Sequence, residues 1–416
     1  MNFLKHTLSY FYPELSGAKA SIENPSTPLS AIFEEPKTVS GISVTEEKSL
    51  AISAVFSCTK VVAETMAQMD LEVVEKIGKV TRVNTNHPNY WLLHAAPSPY
   101  FNRFEWVQAM LVYALLYGNG YSKIIRNRFA TATEFKILPE WEVTPKITER
   151  GKLYYEWQSN KGVEIILAED MFHLKNLGTS GLVGMSSIQI QRENLGNELA
   201  KMNHDGAFYA NGAKASGILM TPGSMGDKER KNLQSSFEKE NSGSKNRFKT
   251  IILEEGVKYQ QLTIPQNDAQ FLESKKFSQT EICGWFRVPP HKIGHLQDAN
   301  FSNIDSQERS FAKDCIVPWT VRFQQELDRK LFFENERGKF MSSFNLDDLI
   351  KGDMKTRYEA YGMGINSGFL KPLEVREAEG WGTEGAEEID NFFMNGANKS
   401  VKQILTEPAK AGVNQN

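Results

Sequence analysis

IDSQERSFAKDCIVPWTVRFQQELDRKLFF, residues 304–333, carries a large apolar or sulfur side chain at every fourth position: Phe311, Cys315, Trp319, Phe323, Leu327 and Leu331. Apolar residues recurring once per helical turn, with charged residues between them, predict one long amphipathic helix over 304–333. Pro318 falls inside it. Proline has no N–H and crowds the preceding turn, so a kink is expected there.

Working outward, residues 267–287 form a second helical segment, with Asn267 as its cap and Gln270 three residues on. Between the two helices lies VPPHKIGHLQDANFSN, 288–303, a tandem proline followed by small polar residues. Before them, FKTIILEEGVKYQQLTI predicts two short strands turning at Glu254-Glu255-Gly256, and a charged helix begins at Asp227. Further back, a helix is expected over about 187–211, with Leu195, Leu199 and Met202 on one face. Residues 121–175 alternate and contain the turn signals NRFA, ERGK and NKGV, so a small β-rich region is expected.

Asn102 and Glu105 form a capping-box pattern ahead of a helix that Gly118 and Gly120 stop. Residues 46–69 read as one helix, with Ile52, Val55, Thr59, Val62, Met66 and Met69 on its buried face. "LEVVEK" follows as a strand and "GKV" as its turn. Residues 1–45 read as an extended N-terminal arm rich in Pro, Ser, Thr and Gly. Towards the C-terminus a helix is expected near 353–364. Pro372 suits the first turn of another, and 395–416 read as disordered, in an acidic end with eight acidic and four basic residues over 372–416. Helices interleaved with short strands make this an α+β chain.

Composition bounds the function. The 416 residues carry 48 basic and 51 acidic side chains, a net charge of −3. A protein that grips nucleic acid through its phosphates is usually more basic, because affinity comes from Lys and Arg displacing counterions. Three dispersed cysteines form neither a disulfide framework nor a paired metal motif, and fit a reducing compartment. The N-terminal residues lack the pattern of a signal peptide, and no apolar run approaches a membrane span.

Candidate chemistry fails motif by motif. His291 and His295 have the four-residue spacing of zinc ligands, but Lys292 stands where a zinc hydrolase needs glutamate. Pro289, Pro290 and Gly294 also argue against a helix presenting both rings. A metal-dependent hydrolase using His291 and His295 is therefore the weaker alternative. GAKASGIL, 212–219, has Ile218 and Leu219 where a phosphate loop needs Lys and Ser or Thr. GMSSI, 184–188, breaks the nucleophile-elbow pattern at Ile188, and Ser186 or Ser187 reads as a helix cap. His204 and Asp205 are neighbours on a helix and face apart. Residues 225–259 carry eight basic and six acidic groups, mostly a solvated face. No catalytic residue, metal or cofactor is called for, and the chain reads as a structural or interaction protein.

Seven stretches in order carry a resemblance. They are AISAVFSCTKVVAETMAQMDLEV (51–73), HPNYWLLHAAPSPYFNRFEW (87–106), LLYGNGYSKI (115–124), GLVGMSSI (181–188), FYANGAKASGIL (208–219), DAQFLESKKFSQTEICGWFRVPPHKIG (268–294) and NFSNIDSQERSFAKDCIVPW (300–319). With the segments between, the chain resembles the portal proteins of lambdoid, long-tailed bacteriophages over about residues 48–380.

The resemblance implies a ring, normally of twelve subunits, at one capsid vertex. Double-stranded DNA is packaged through it by the terminase and leaves by the same route. It implies an arm at 1–45, a wing at 46–226, stem helices at 227–240 and 267–287, and a clip at 241–266. A tunnel loop at 288–303, a long kinked helix with the rest of the wing at 304–352, a crown at 353–395 and a tail at 396–416 complete the plan. The clip residues Lys245, Arg247, Lys249, Glu254 and Glu255 would face the terminase large subunit and later the head–tail connector. Gln297, Asp298, Asn300, Phe301, Ser302 and Asn303 of the tunnel loop would line the DNA channel. Further implied partners are the major capsid and scaffold proteins. The implied location is the virion, with the host cytoplasm during assembly and no membrane. Another head–tail connector ring protein is the second alternative, disfavoured by the long kinked helix.

Overall fold

The computed structural model describes residues 38–78, 80–210, 217–220, 223, 226–241, 258–261, 268–295, 301–346, 354–379, 381, 389–394 and 399–400. The chain divides into two compact units, Met1–Phe344 and Asn345–Asn416.

The first unit opens with α1 (Glu46–Ser49) and α2 (Ser53–Gln68). The single helix expected over 46–69 is thus two. Ile52 is extended ahead of α2, and the buried Ser49 hydroxyl donates back to the Glu46 carbonyl, closing α1 on itself. The apolar face of α2 is as expected: Val55, Val62 and Met66 are fully buried. Strands β1 (Leu71–Ile77) and β2 (Val80–Val83) form a hairpin, and α3 (Tyr90–His94) and α4 (Arg103–Leu116) follow. The capping box on α4 is formed: Glu105 N–H donates to Asn102 Oδ1 and Asn102 N–H to Glu105 Oε2, each at 3.0 Å. Gly118 ends the helix with φ +92°. A Cβ there would lie 2.5 Å from the Met185 carbonyl carbon, so both conformation and space require glycine.

The β-rich region is present as β3 (Asn119–Arg126), β4 (Ala132–Leu138), β5 (Val143–Ile147), β6 (Leu153–Ser159), β7 (Gly162–Leu167) and β8 (Met171–Lys175). They make two antiparallel sheets, β4-β3-β8 and β5-β6-β7. The predicted turns fall at the hairpins: Asn127 Oδ1 accepts from the Phe129 and Thr131 N–H groups, and Gly151 and Gly162 have positive φ. Tyr121, Leu138, Val143, Tyr155, Ile166 and Met171 pack the two sheets together.

A buried polar chain runs through that core. Asn119 Oδ1 accepts from the Gly184 N–H at 2.7 Å and lies 3.0 Å from His173 Nε2. An amide oxygen only accepts, so His173 carries its proton on Nε2 and its Nδ1 accepts from the Tyr155 hydroxyl at 3.0 Å. Burial holds the His173 imidazole well below its ordinary pKa, and the ring serves as a neutral connector.

Next come α5 (Ser187–Ile190), α6 (Arg192–Ala210), β9 (Gly217–Met220), α7 (Asp227–Asn241), β10 (Lys258–Gln261) and α8 (Asp268–Phe286). Ser186 caps α5 by accepting from the Gln189 N–H. The helix expected over 187–211 is broken at Gln191, which leaves helical geometry; Leu195 is buried but Met202 is 45% exposed. β10 pairs antiparallel with β9, from the far side of α7. The first of the two strands expected over 248–264, with its turn at Glu254–Gly256, lies outside the described residues, as does the cap Asn267.

The opening stretch forms α9 (Phe301–Ser310), a wide π turn (Phe311–Ile316) and α10 (Val317–Leu331), leading into β11 (Phe340–Phe344) beside β1. All six periodic residues are buried. At four-residue spacing an α-helical stripe advances about 40° per step, so it winds around the axis. It meets different partners in turn: the π turn packs against α2, and further along Phe323 meets Trp106, Phe172 and Phe344. The end of α10 is tied down by side chains. Arg126 donates to the Lys330 carbonyl and Asn89 to the Leu331 carbonyl, satisfying groups that no helical N–H reaches.

The second unit contains α11 (Met354–Asn366), α12 (Pro372–Ala378), β12 (Phe393–Met394) and β13 (Lys399–Ser400). Pro372 occupies the first turn of α12 as expected. Glu379 joins its helices, accepting from Arg357 at 2.8 Å and the Tyr361 hydroxyl at 3.1 Å. Disorder was expected from 395, but Lys399 and Ser400 pair with Met394 and Phe393.

Candidate nucleic-acid interface

The segment joining α8 to α9 is the candidate interface, and its root is held from several sides. Arg287 follows α8 with φ +56°, and the buried Val288 sends its N–H back to the Cys283 carbonyl. Pro290–Ile293 make one 3₁₀ turn that Gly294 closes in the left-handed region, φ +92°. The two histidines therefore do not share a helical face. His291 lies with Nδ1 2.8 Å from Gln307 Oε1 and Nε2 2.9 Å from Glu308 Oε1, so both ring nitrogens are engaged by α9. No group of three or more His, Cys, Asp or Glu placed to hold a metal occurs among the described residues.

Glu308 is the centre of this anchor. Its second oxygen takes Lys292 Nζ at 2.6 Å, and the same ammonium sits 4.9 Å from the Phe311 ring centroid. Burial pushes the Glu308 carboxyl up, but hydrogen bonds from His291 and Lys292 outweigh it and hold the group below its usual range. A depressed carboxylate stabilises above its unfolded pKa, here 4.5, and that contribution is lost as pH falls through the lower folded value. Glu308→Gln is expected to cost about 1 kcal/mol at pH 7, a modest figure because the pair is partly solvent-screened. Its local signature is faster hydrogen exchange at the Gly294 and His295 amides, which bond the His291 and Pro290 carbonyls. Unchanged protection at both amides would rule the anchor out.

A second tie explains the irregular helix. Val317 N–H reaches five residues back to the Ala312 carbonyl, and Pro318 has no N–H to offer Asp314. Arg287 Nη1 supplies the missing donor, 3.1 Å from the Asp314 carbonyl. Just before Pro318, where a kink was expected, the helix carries a π turn, and the carbonyl that Pro318 cannot serve is capped from the end of α8.

Of the predicted channel residues, Phe301, Ser302 and Asn303 form the first turn of α9, so the helix starts three residues before the periodicity predicts. Asn300, directly before it in sequence, is a residue type favoured at helix starts. Gln297, Asp298 and Asn300 lie outside the described residues, as do Lys245, Arg247, Lys249, Glu254 and Glu255. Sequence reasoning missed Arg287, Lys292, Gln307 and Glu308 as a unit, because no local spacing links residues 16 or more apart.

The family model for "phage portal protein" matches residues 53–380, most of the chain. The chain belongs to the phage portal protein family. The portal protein of Enterobacteria phage HK97 is 28% identical over 342 residues, covering 81% of this chain and 80% of the relative. The probable portal protein of Streptomyces phage phiC31 is 28% identical over 385 residues, covering 88% and 82%. Among solved structures, a chain from the neck of an empty gene transfer agent particle, determined with C6 symmetry, has a TM-score of 0.57 at 21% identity, covering 82% of this chain and 94% of that one. An HK97-family phage portal protein from Corynebacterium diphtheriae has a TM-score of 0.55 at 13% identity, covering 74% and 97%. The portal fold expected from the sequence, a mixed α+β chain, is therefore present. No helix among the described residues is long and apolar enough to cross a membrane.

Proposed function

We propose that this portal protein forms a homo-oligomeric ring at a capsid vertex. Double-stranded DNA passes through the ring during packaging and ejection, driven by a separate terminase, and the head–tail connector docks on it. The family match over residues 53–380 carries this reading, because it contains both helices that flank the candidate channel segment. A solved neighbour from the neck of a native gene transfer agent particle, determined with C12 symmetry, supports the ring, with a TM-score of 0.55. The location we infer is the virion, after assembly in the host cytoplasm. The capsid and scaffold proteins are inferred partners.

The charge pattern suits a conduit. Over residues 296–314, Asp298, Asp305, Glu308 and Asp314 outnumber Arg309 and Lys313. A lining that neutralised many phosphates would hold DNA through counterion release and slow its passage. Gln297, Asp298, Asn300, Ser302 and Asn303 would instead offer weak, exchangeable contacts. One short segment repeated around a ring builds a constriction that no single copy could make. The clip residues Lys245, Arg247, Lys249, Glu254 and Glu255 are the proposed terminase- and connector-facing set.

Two measurements test this reading. Axial negative-stain images of the purified chain should contain rings; a compact monomer at high concentration, with scaffold and capsid protein present, counts against assembly. Deleting residues 296–300, which spares the first turn of α9, should leave rings intact while DNA packaging or retention falls. Normal packaging by that variant would remove the segment from the channel.

A further inference from the structure

The chain has three cysteines, Cys58, Cys283 and Cys315, and the fold buries all of them. Cys58 on α2 and Cys283 on α8 are far apart in sequence, yet their Sγ atoms lie 3.8 Å apart. Cys315 is committed elsewhere, donating to the Phe286 carbonyl at 3.3 Å. Burial pushes its thiol up to about 12, so it stays protonated at neutral pH, and its sulfur is not the one facing another cysteine. Within the close pair, the Cys58 S–H donates to Cys283 Sγ and holds the Cys283 thiol below its ordinary value, making it the better attacking sulfur.

We propose that Cys58 and Cys283 are a reversible cross-linking site that ties α8 covalently to α2. The oxidant is a small-molecule disulfide of the glutathione class. Cys283 thiolate attacks one sulfur of the reagent, breaking its S–S bond and releasing one small thiol. The contact with Cys283 and burial push the Cys58 thiol up in the closed fold; once Cys283 is capped and α8 has opened, Cys58 gives its proton to water, attacks the Cys283 sulfur of the mixed disulfide and releases the second small thiol. Two protein thiols are oxidised to one disulfide, and one small disulfide is reduced to two thiols, so electrons and protons balance. The sulfurs must close from 3.8 Å to the roughly 2.05 Å of a disulfide. Because Cys58 is fully buried and Cys283 is 1% exposed, reagent enters only when α8 opens locally from α2.

The consequence is mechanical. α8 leads directly into the anchored root at Arg287–His295, while α2 lies in the core of the first unit. With the thiols reduced, packing of Ile282 and Phe286 keeps α8 in place; the cross-link adds a covalent tie next to them. A reducing cytosol would keep the pair open and an oxidising exterior would close it. That timing rests on the virion reading proposed above, whereas the cross-link does not.

The experiment uses the full chain, purified under reductant and then incubated with glutathione disulfide, alone and in mild urea. Free thiols counted after denaturation should fall from three to one, faster in urea, and a non-reducing peptide map should join residues 58 and 283. Closing so long a loop should raise the thermal midpoint by about 5 °C or more, reversibly on reduction. Cys58→Ala and Cys283→Ala should each abolish the cross-link and the shift, and Cys315→Ala should keep both. Three persisting thiols in mild urea, glutathione left on a single cysteine, or a link through Cys315 would each overturn the proposal. A chain that cross-links as described but stays a compact monomer both reduced and oxidised, with scaffold and capsid protein present, would count against the ring and leave this inference standing.

Discussion

Trp106→Ala is expected to lower the unfolding free energy of the first unit by about 3–5 kcal/mol, the largest single-residue effect we predict. Trp106 has no exposed surface. Its ring centroid lies 4.3 Å from Phe135, 5.4 Å from Phe172 and 5.2 Å from Phe323, so one side chain joins α4, β4, β8 and α10. Its indole N–H donates to the Ser122 hydroxyl at 3.2 Å, and Ser122 is itself fully buried. Truncation therefore opens a cavity among rings that cannot collapse together and removes the buried hydroxyl's donor. Urea unfolding should show the midpoint falling with an unchanged slope. Trp91→Ala, at a site 66% exposed, should change stability by no more than about 0.5 kcal/mol. Equal effects at the two tryptophans would refute the aromatic cluster as the joint of the first unit.

The second large effect depends on pH. The Glu140 carboxyl is pushed up to about 7, first by burial and then by the nearby Glu46 carboxylate, against a hydrogen bond from Asn119 that pulls it down. A carboxyl raised in the native state keeps its proton there after the unfolded chain has lost it. Its contribution to stability is therefore full below pH 4.5 and declines as pH rises to about 7. Glu140→Gln keeps the shape and removes the charge. The variant should match the parent near pH 4.5 and exceed it by about 2 kcal/mol at pH 8, a figure discounted for partial solvent exposure. His173 and His87 act with the opposite sign: burial lowers both, so their contribution is full above 6.5 and is lost as pH falls from there through their lower folded values. They are common to parent and variant, so the difference between the two chains isolates Glu140. A difference that stays constant from pH 5 to pH 8 would sink the assignment.

These two sites show how unevenly the fold can be read from its sequence. The Asn102–Glu105 cap, the Ser186 cap, Pro372 in the first turn of α12 and the six-residue stripe from Phe311 to Leu331 were all legible. Each depends on residues within one helical turn of one another, the range over which backbone geometry relates side chains. The break at Ile52, the exit at Gln191 and the exposure of Met202 were not, because packing across the fold overrode local periodicity. Trp106 was not singled out in the sequence either, since its three ring partners come from β4, β8 and α10.

Composition and local spacing carried the α+β class, the near-neutral charge, the failure of each catalytic motif and, through seven ordered stretches, the resemblance to portal proteins. All of these are properties of composition or local spacing, which survive without coordinates. The partners of the residues around 287–318 came from the packing of separate helices. That packing put Glu308 against His291 and Lys292, Arg287 on the carbonyl that Pro318 leaves free, and Cys58 against Cys283. Those pairs are 16 to 225 residues apart. Contacts between separate helices depend on how their faces pack, and no period within one helix encodes that choice.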